Sequence, residues 1–221
     1  MRTLYHCIDA RSFRTLWMLE ELQLPYELRV LPFPPRALAK DYLAINPLGT
    51  VPLLIDGEAR LTESAATCQY LAARHSPGTL DVGLHEDDYA AYLNWLHMSD
   101  ATLTFPQTLL LRYGVFEPPE RRQPQVVQDY RKWFLGRLRA LDIALADGRE
   151  HLCAGRFTAA DMAVAYALML ADYIHLGGEF TPPVAAYWAR LRSRPAFARA
   201  QAAQRAAALA QGVSPEPAPN A

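Results

Sequence analysis

The sequence predicts an α/β half followed by an all-helical half, and three observations predict it. Strand-like runs alternate with helical periodicity up to about residue 75. A two-residue hairpin signal, Asp56-Gly57, lies inside that stretch. Beyond residue 84 no strand pattern recurs, and apolar residues repeat at helical spacing.

Arg2 to Ile8 reads as a short strand that ends at Asp9-Ala10-Arg11-Ser12. Ser12 stands as an N-cap before Phe13, Leu16, Trp17 and Leu19 at helical spacing, and Pro25 closes that helix. Tyr26 to Leu31 is a second strand, which makes a right-handed βαβ opening. Pro32 to Pro35 form a rigid connector, and Arg36 to Ala44 a short helix. Val51–Ile55 and Glu58–Leu61 should pair antiparallel across Asp56-Gly57. Ser64 to His75 is the helix that ends this half.

Residues 77–84 read as a linker opened by Pro77-Gly78. Tyr89, Tyr92, Leu93 and Leu96 share a helical face that runs towards Pro106, where a kink or break is expected. Pro124 suits a first helical turn, and Val127, Tyr130, Phe134, Leu138, Leu141 and Leu145 form the stripe behind it, with Gly148 as C-cap. Thr158-Ala159-Ala160-Asp161 is a capping-box variant. Gly177-Gly178 ends that helix, Thr181-Pro182 starts another, and Pro195 begins an Ala-rich one. The expected division is a first domain at 1–76, a helical domain at 85–211 and a frayed tail at 212–221.

The bulk properties exclude several function classes. With 221 residues, 51% hydrophobic and 20% charged, the chain is globular. A net charge of −1 gives no electrostatic case for nucleic acid or an anionic membrane surface. Arg190, Arg192, Arg194 and Arg199 cluster, and a solvated helix face accounts for them. The 3 cysteines, Cys7, Cys68 and Cys153, form no C-x-x-C, so neither a zinc site nor a dithiol is available. Arg2 and His6 precede no apolar leader segment, and a reducing cytoplasm is the expected compartment.

The most informative stretch is Asn46-Pro47-Leu48-Gly49-Thr50-Val51-Pro52-Leu53-Leu54. Asn46-Pro47 and Gly49 make a turn. Pro52 cannot donate to a ladder, so it sits at a strand start or an edge. Val51 beside it then keeps backbone groups that an extended peptide could pair with. With Asp56-Gly57 and Glu63-Ser64, this stretch resembles the glutathione-site signature of the cytosolic glutathione transferases, most closely bacterial serine-type, theta-like members. The Thr158 to Asp161 box resembles the start of that family's buried central helix.

The resemblance implies a thioredoxin-like first domain and an all-helical second one. It further implies a cytoplasmic, homodimeric detoxification enzyme, needing no metal, that joins the glutathione thiolate to a small hydrophobic electrophile. A cis Val51–Pro52 bond and pairing of Val51 with the cysteinyl backbone belong to the same implication. Ser64 and the helix amides suit the γ-glutamyl carboxylate, and Glu63 the ammonium. Thr50 stands where many relatives carry a lysine for the glycyl carboxylate.

For the sulfur, Ser12 with Arg11 is the candidate, since a thiol needs a donor, a cation or a helix N-terminus to ionise near neutrality. Arg11-Ser12-Phe13-Arg14 resembles a bacterial Ser-Phe-Arg motif. Several serine-type classes place their serine earlier, where this chain has Asp9 and Ala10, so Ser12 is either thiolate donor or helix cap. Tyr5 and Cys7 are in reserve, and Cys7 would imply glutathione-dependent reduction. The electrophile pocket is expected near Leu103, Phe105, Leu109 and Tyr113. A non-catalytic module on the same scaffold is the third reading, motivated by Ala10 and Thr50.

Overall fold

The computed structural model describes residues 1–218. The chain forms two compact units, one of Met1–Ser76 together with the residues from Ser193 on, the other of Pro77–Arg192.

The first unit is built on a four-stranded sheet among the described residues, ordered β2-β1-β3-β4. Strands β1 (Arg2–His6) and β2 (Tyr26–Val30) flank α1 (Phe13–Glu21) and pair in parallel. Helix α2 (Pro35–Leu38) and a 3₁₀ turn at Lys40–Ala44 lead to β3 (Leu53–Asp56), which runs antiparallel to β1 with Tyr5 opposite Leu53. Strand β4 (Ala59–Leu61) returns through the expected hairpin, and α3 spans Ser64–His75 as the sequence predicts.

This pairing fixes where the functional segments go. The residues after β1, those before β3 and those after β4 all emerge at the same end of the sheet. At the turn before β3, Gly49 donates to the Asn46 carbonyl at 2.9 Å. Its φ is +59°, and a Cβ there would meet the Arg36 Cβ at 2.7 Å, so glycine is required twice over.

The second unit holds α4 (Tyr89–Met98), α5 (Phe105–Leu111), α6 (Pro124–Arg137), α7 (Arg139–Leu145), α8 (Ala159–Tyr173) and α9 (Pro182–Arg192). Pro106 lies in the first turn of α5 and lacks an N–H. The chain passes from α4 to α5 through a π-helical stretch at Ser99–Thr104, where the sequence predicted a kink or break. Helix α8 is buried along most of its length and forms the centre of this unit. Residues Leu80, Asp81 and Val82 of the expected linker are buried too, and the Leu80 carbonyl accepts from the Ala159 amide at 2.8 Å.

The structure departs from three expectations here. The final helix α10 (Pro195–Ala210) belongs to the first unit, not to the helical domain. Phe197 sets its ring edge-on to Phe13 and Trp17, with centroids 5.3 and 5.0 Å apart, so burial of those aromatics outweighs sequence proximity. The arginines near it are not simply solvated: Arg194 grips Glu21 at 2.6 and 3.0 Å, and Arg199 reaches Glu20 at 3.0 Å. The tail expected to fray from Gly212 is packed at its start, where Val213 joins Ile8, Val30 and Ala208. Gln211 bonds both Val30 N and the Leu28 carbonyl, which covers the β2 edge. Of that tail, residues 219–221 lie outside the described residues.

Candidate functional site

The candidate site is built from the three segments at one end of the first unit's sheet. The Val51–Pro52 bond is cis. Ladder pairing of β3 with β1 reaches no further than Leu53, and Val51 enters no hydrogen bond among the described residues. Its position is held from behind, because the Tyr42 hydroxyl and the Asn46 amide both donate to the Thr50 carbonyl, at 2.8 and 2.9 Å. The Thr50 side chain is exposed. A second cis bond, Phe33–Pro34, carries no comparable sequence signal.

Glu63 and Ser64 open α3 beside this segment. Glu63 occupies the cap position with an exposed side chain and makes no capping bond. The first amides of a helix have no intrahelical partner, so this terminus presents donors. Ser64 is buried and accepts from the Arg14 guanidinium at 2.9 Å. A guanidinium only donates, so the hydroxyl keeps its own proton for another acceptor. Arg14, fully buried on α1, is a candidate site residue that motif reading passed over, although it closes the Ser-Phe-Arg motif.

Ser12 is committed to the interior. It is 0% exposed, and its hydroxyl makes no cap bond to α1. A buried relay uses it instead. Asp9 Oδ1 can only accept, so the 2.6 Å contact from Gln204 fixes that amide with Nε2 towards Asp9. Gln204 Oε1 then accepts from His6 Nε2 at 2.9 Å and from the Asp9 amide at 3.1 Å. His6 Nδ1 is left as an acceptor and takes the Ser12 proton at 2.8 Å, while Ser12 Oγ accepts from the Cys7 amide at 3.3 Å. The single proton of Ser12 is therefore committed inward. Burial holds His6 neutral and lowers its pKa to about 4, against the opposing pull of the Gln204 and Ser12 bonds.

The reserve candidates fare similarly. Cys7 is fully buried, and burial pushes its thiol up to about 12, so it presents no thiolate for a mixed disulfide. Tyr5 is half-buried on β1 with its ring 5.2 Å from that of Tyr42. What remains at the sheet end is the Asp9-Ala10-Arg11 turn with half-buried Arg11. There the Phe13 amide donates to Ala10 and the Arg14 amide to Arg11 as α1 begins.

In the second unit, Leu103 is fully buried and belongs to the core, which removes it from a pocket wall. Phe105 is exposed, and Leu109 and Tyr113 are half-buried. A groove of about 640 Å³ opens elsewhere on this unit, lined by Met98, Ala101, Thr102, Trp133 and Ile143 among others, none of them expected from the sequence.

A mixed sheet with a cis X–Pro before its third strand, followed by a helical unit centred on a capped buried helix, defines the glutathione transferase fold. The family model "Glutathione S-transferase, N-terminal domain" matches residues 10–74. Glutathione S-transferase GstA of Escherichia coli is 33% identical over 157 residues, 70% of this chain and 74% of that one. A crystal structure of a glutathione transferase from Methylococcus capsulatus aligns with TM-score 0.78 at 26% identity, covering 92% of this chain and 98% of that one. A Phanerochaete chrysosporium glutathione transferase solved with oxidised glutathione aligns with TM-score 0.80 at 26% identity, covering 91% and 95%. The chain belongs to the glutathione S-transferase family of enzymes.

Proposed function

We propose that this enzyme binds glutathione at the end of its first sheet and transfers the thiolate to a small hydrophobic electrophile. The observation that carries the reading is Val51, whose backbone N–H and C=O stay outside the ladder beside a cis proline. They suit the two complementary groups of a cysteinyl residue laid alongside as an extra strand. The open α3 terminus and the Ser64 proton suit the γ-glutamyl carboxylate, Glu63 suits the ammonium, and Thr50 lies nearest the glycyl end.

The thiolate is held by the positive N-terminal end of the α1 dipole and the positive charge of Arg11. This replaces the Ser12 hydroxyl, which is committed elsewhere. The thiol proton passes to solvent, the sulfur lone pair forms the new C–S bond, and the leaving group departs with its electron pair. Phe105, Leu109 and Tyr113 offer apolar surface for the electrophile on the helical unit. Pairing of two copies and a cytoplasmic location, in keeping with three free buried thiols, complete the reading. Among the described residues no helix is long and apolar enough to cross a membrane.

Purified protein should bind glutathione by isothermal titration and conjugate it to a chlorodinitrobenzene, with one product formed per thiol consumed. Titration heat indistinguishable from buffer would sink the reading. Light scattering at micromolar concentration should give twice the chain mass.

A further inference from the structure

The Gln204 amide on α10 is fully used. Its Oε1 accepts from His6 and from the Asp9 amide, and its Nε2 donates to Asp9 Oδ1 and, at 3.0 Å, to Gln201 Oε1. The side chain is 0% exposed. The residue it grips by both backbone and carboxylate, Asp9, has φ +51°, a left-handed conformation uncommon outside glycine that aspartate tolerates better than most residues. Gln201 adds a second donor to Asp9 Oδ1 at 3.2 Å, and Arg205 lies 3.7 Å from Oδ2. The constraint on this turn thus comes from a helix about 195 residues away in sequence.

From this geometry we propose that Gln204 is a positioning residue for the glutathione sulfur, acting by clamping Asp9 so that the Ala10-Arg11 turn and the positive N-terminal end of α1 face the thiolate. The proposal rests on the glutathione reading above. A helix remote from the tripeptide thereby sets thiol acidity without touching the ligand. It acts on the thiolate alone, since Val51 holds the cysteinyl backbone and Glu63 and Ser64 the γ-glutamyl end whichever protonation state the sulfur has.

The experiment titrates thiolate absorbance against pH in the full chain saturated with glutathione. Gln204→Met keeps the volume and removes the clamp. It should raise the bound-thiol pKa by about one unit, equivalent to a tenfold fall in thiolate near neutrality, with glutathione affinity within about twofold of wild type. Asp9→Ala should do the same from the other side, even though losing a negative charge would by itself lower the pKa. Asp9→Asn loses the charge and keeps an acceptor for Gln204, so it should titrate at or below wild type. Phe197→Leu loosens α10 without touching Asp9, and should lower the melting temperature while leaving the thiol titration in place.

Gln204→Met titrating with wild type overturns the clamp. So does Phe197→Leu raising the pKa as far as Gln204→Met does, which would reduce Gln204 to general support of the fold. If Gln204→Met does not fold, the Asp9 pair decides alone, and equal titrations for Asp9→Ala and Asp9→Asn overturn it. A wild type with no bound-thiolate band overturns the glutathione reading and the clamp together, whereas a normal wild type with unmoved variants overturns only the clamp.

Discussion

Two helix N-termini in this protein start from similar chemistry and end in opposite states. At α8, Thr158 and Asp161 complete a reciprocal capping box, and Asp161 also accepts from the Leu152 amide at 2.9 Å and the Tyr187 hydroxyl at 2.8 Å. The terminus is sealed, and burial pushes the Asp161 carboxyl up against those donors. At α3, the side chain of the cap residue Glu63 makes no cap bond, and Ser64 is pinned by Arg14 with its proton still to give. A terminus that consumes its own donors holds a fold together. One that leaves them open can hold an anion.

The largest expected effect breaks the sealed end. Asp161→Ala strands the Leu152 and Thr158 amides and the Tyr187 hydroxyl in a dry interior, and should cost about 3–5 kcal/mol in urea unfolding. A loss below about 1 kcal/mol would mean that the sealed box is not structural.

A third terminus, that of α1, sharpens the contrast through pH. Both folded and unfolded chains hold His6 neutral above its ordinary value of 6.5, whereas between 6.5 and about 4 only the unfolded chain takes up the proton. Stability is therefore complete above pH 6.5 and falls as the pH drops towards 4, by about 3 kcal/mol at most. Comparison of the two unfolding-versus-pH curves should show this slope reduced in His6→Asn. Ser12→Ala, at the same terminus, leaves His6 Nδ1 and the Cys7 amide unpaired and should cost about 2 kcal/mol. Its bound-thiol titration should match wild type, and a rise of a full unit would return Ser12 to the sulfur.

The smallest effect on the fold belongs to the open end. Glu63→Ala should weaken glutathione about tenfold, roughly 1.4 kcal/mol, by titration calorimetry. Unfolding free energy should move by no more than about 0.5 kcal/mol, since the side chain is exposed and caps nothing.

What the sequence disclosed follows from the range of the forces involved. Asn46 to Leu54, the Asp56-Gly57 hairpin and the Thr158 box are local devices, each written in residues that touch their near neighbours, and all three are found in place. The partner of Ser12 was not legible, because its hydroxyl has an acceptor in His6, six residues earlier with its other nitrogen tied to Gln204, and no local pattern carries that. The membership of α10 was missed for the same reason. Phe197 reads as an ordinary apolar residue of a terminal helix until Phe13 and Trp17 are brought against it. Leu103 failed differently, since helical spacing shows that a residue is apolar without showing which way the π-helical turn rotates it.

The return of α10 to the first unit also bears on how the protein is born. During synthesis the strands and α1 leave the ribosome before the helical unit, yet Phe197, which packs on Phe13 and Trp17, is made only after that unit. Until then the nascent first unit carries an uncovered aromatic face and an unprotected β2 edge, which Gln211 later caps. The intervening helical unit, continuous from Pro77 to Arg192, can close first. A ribosome-bound chain stopped at residue 192 should thus engage holding chaperones, and protease resistance of residues 1–76 should appear only after α10 has emerged.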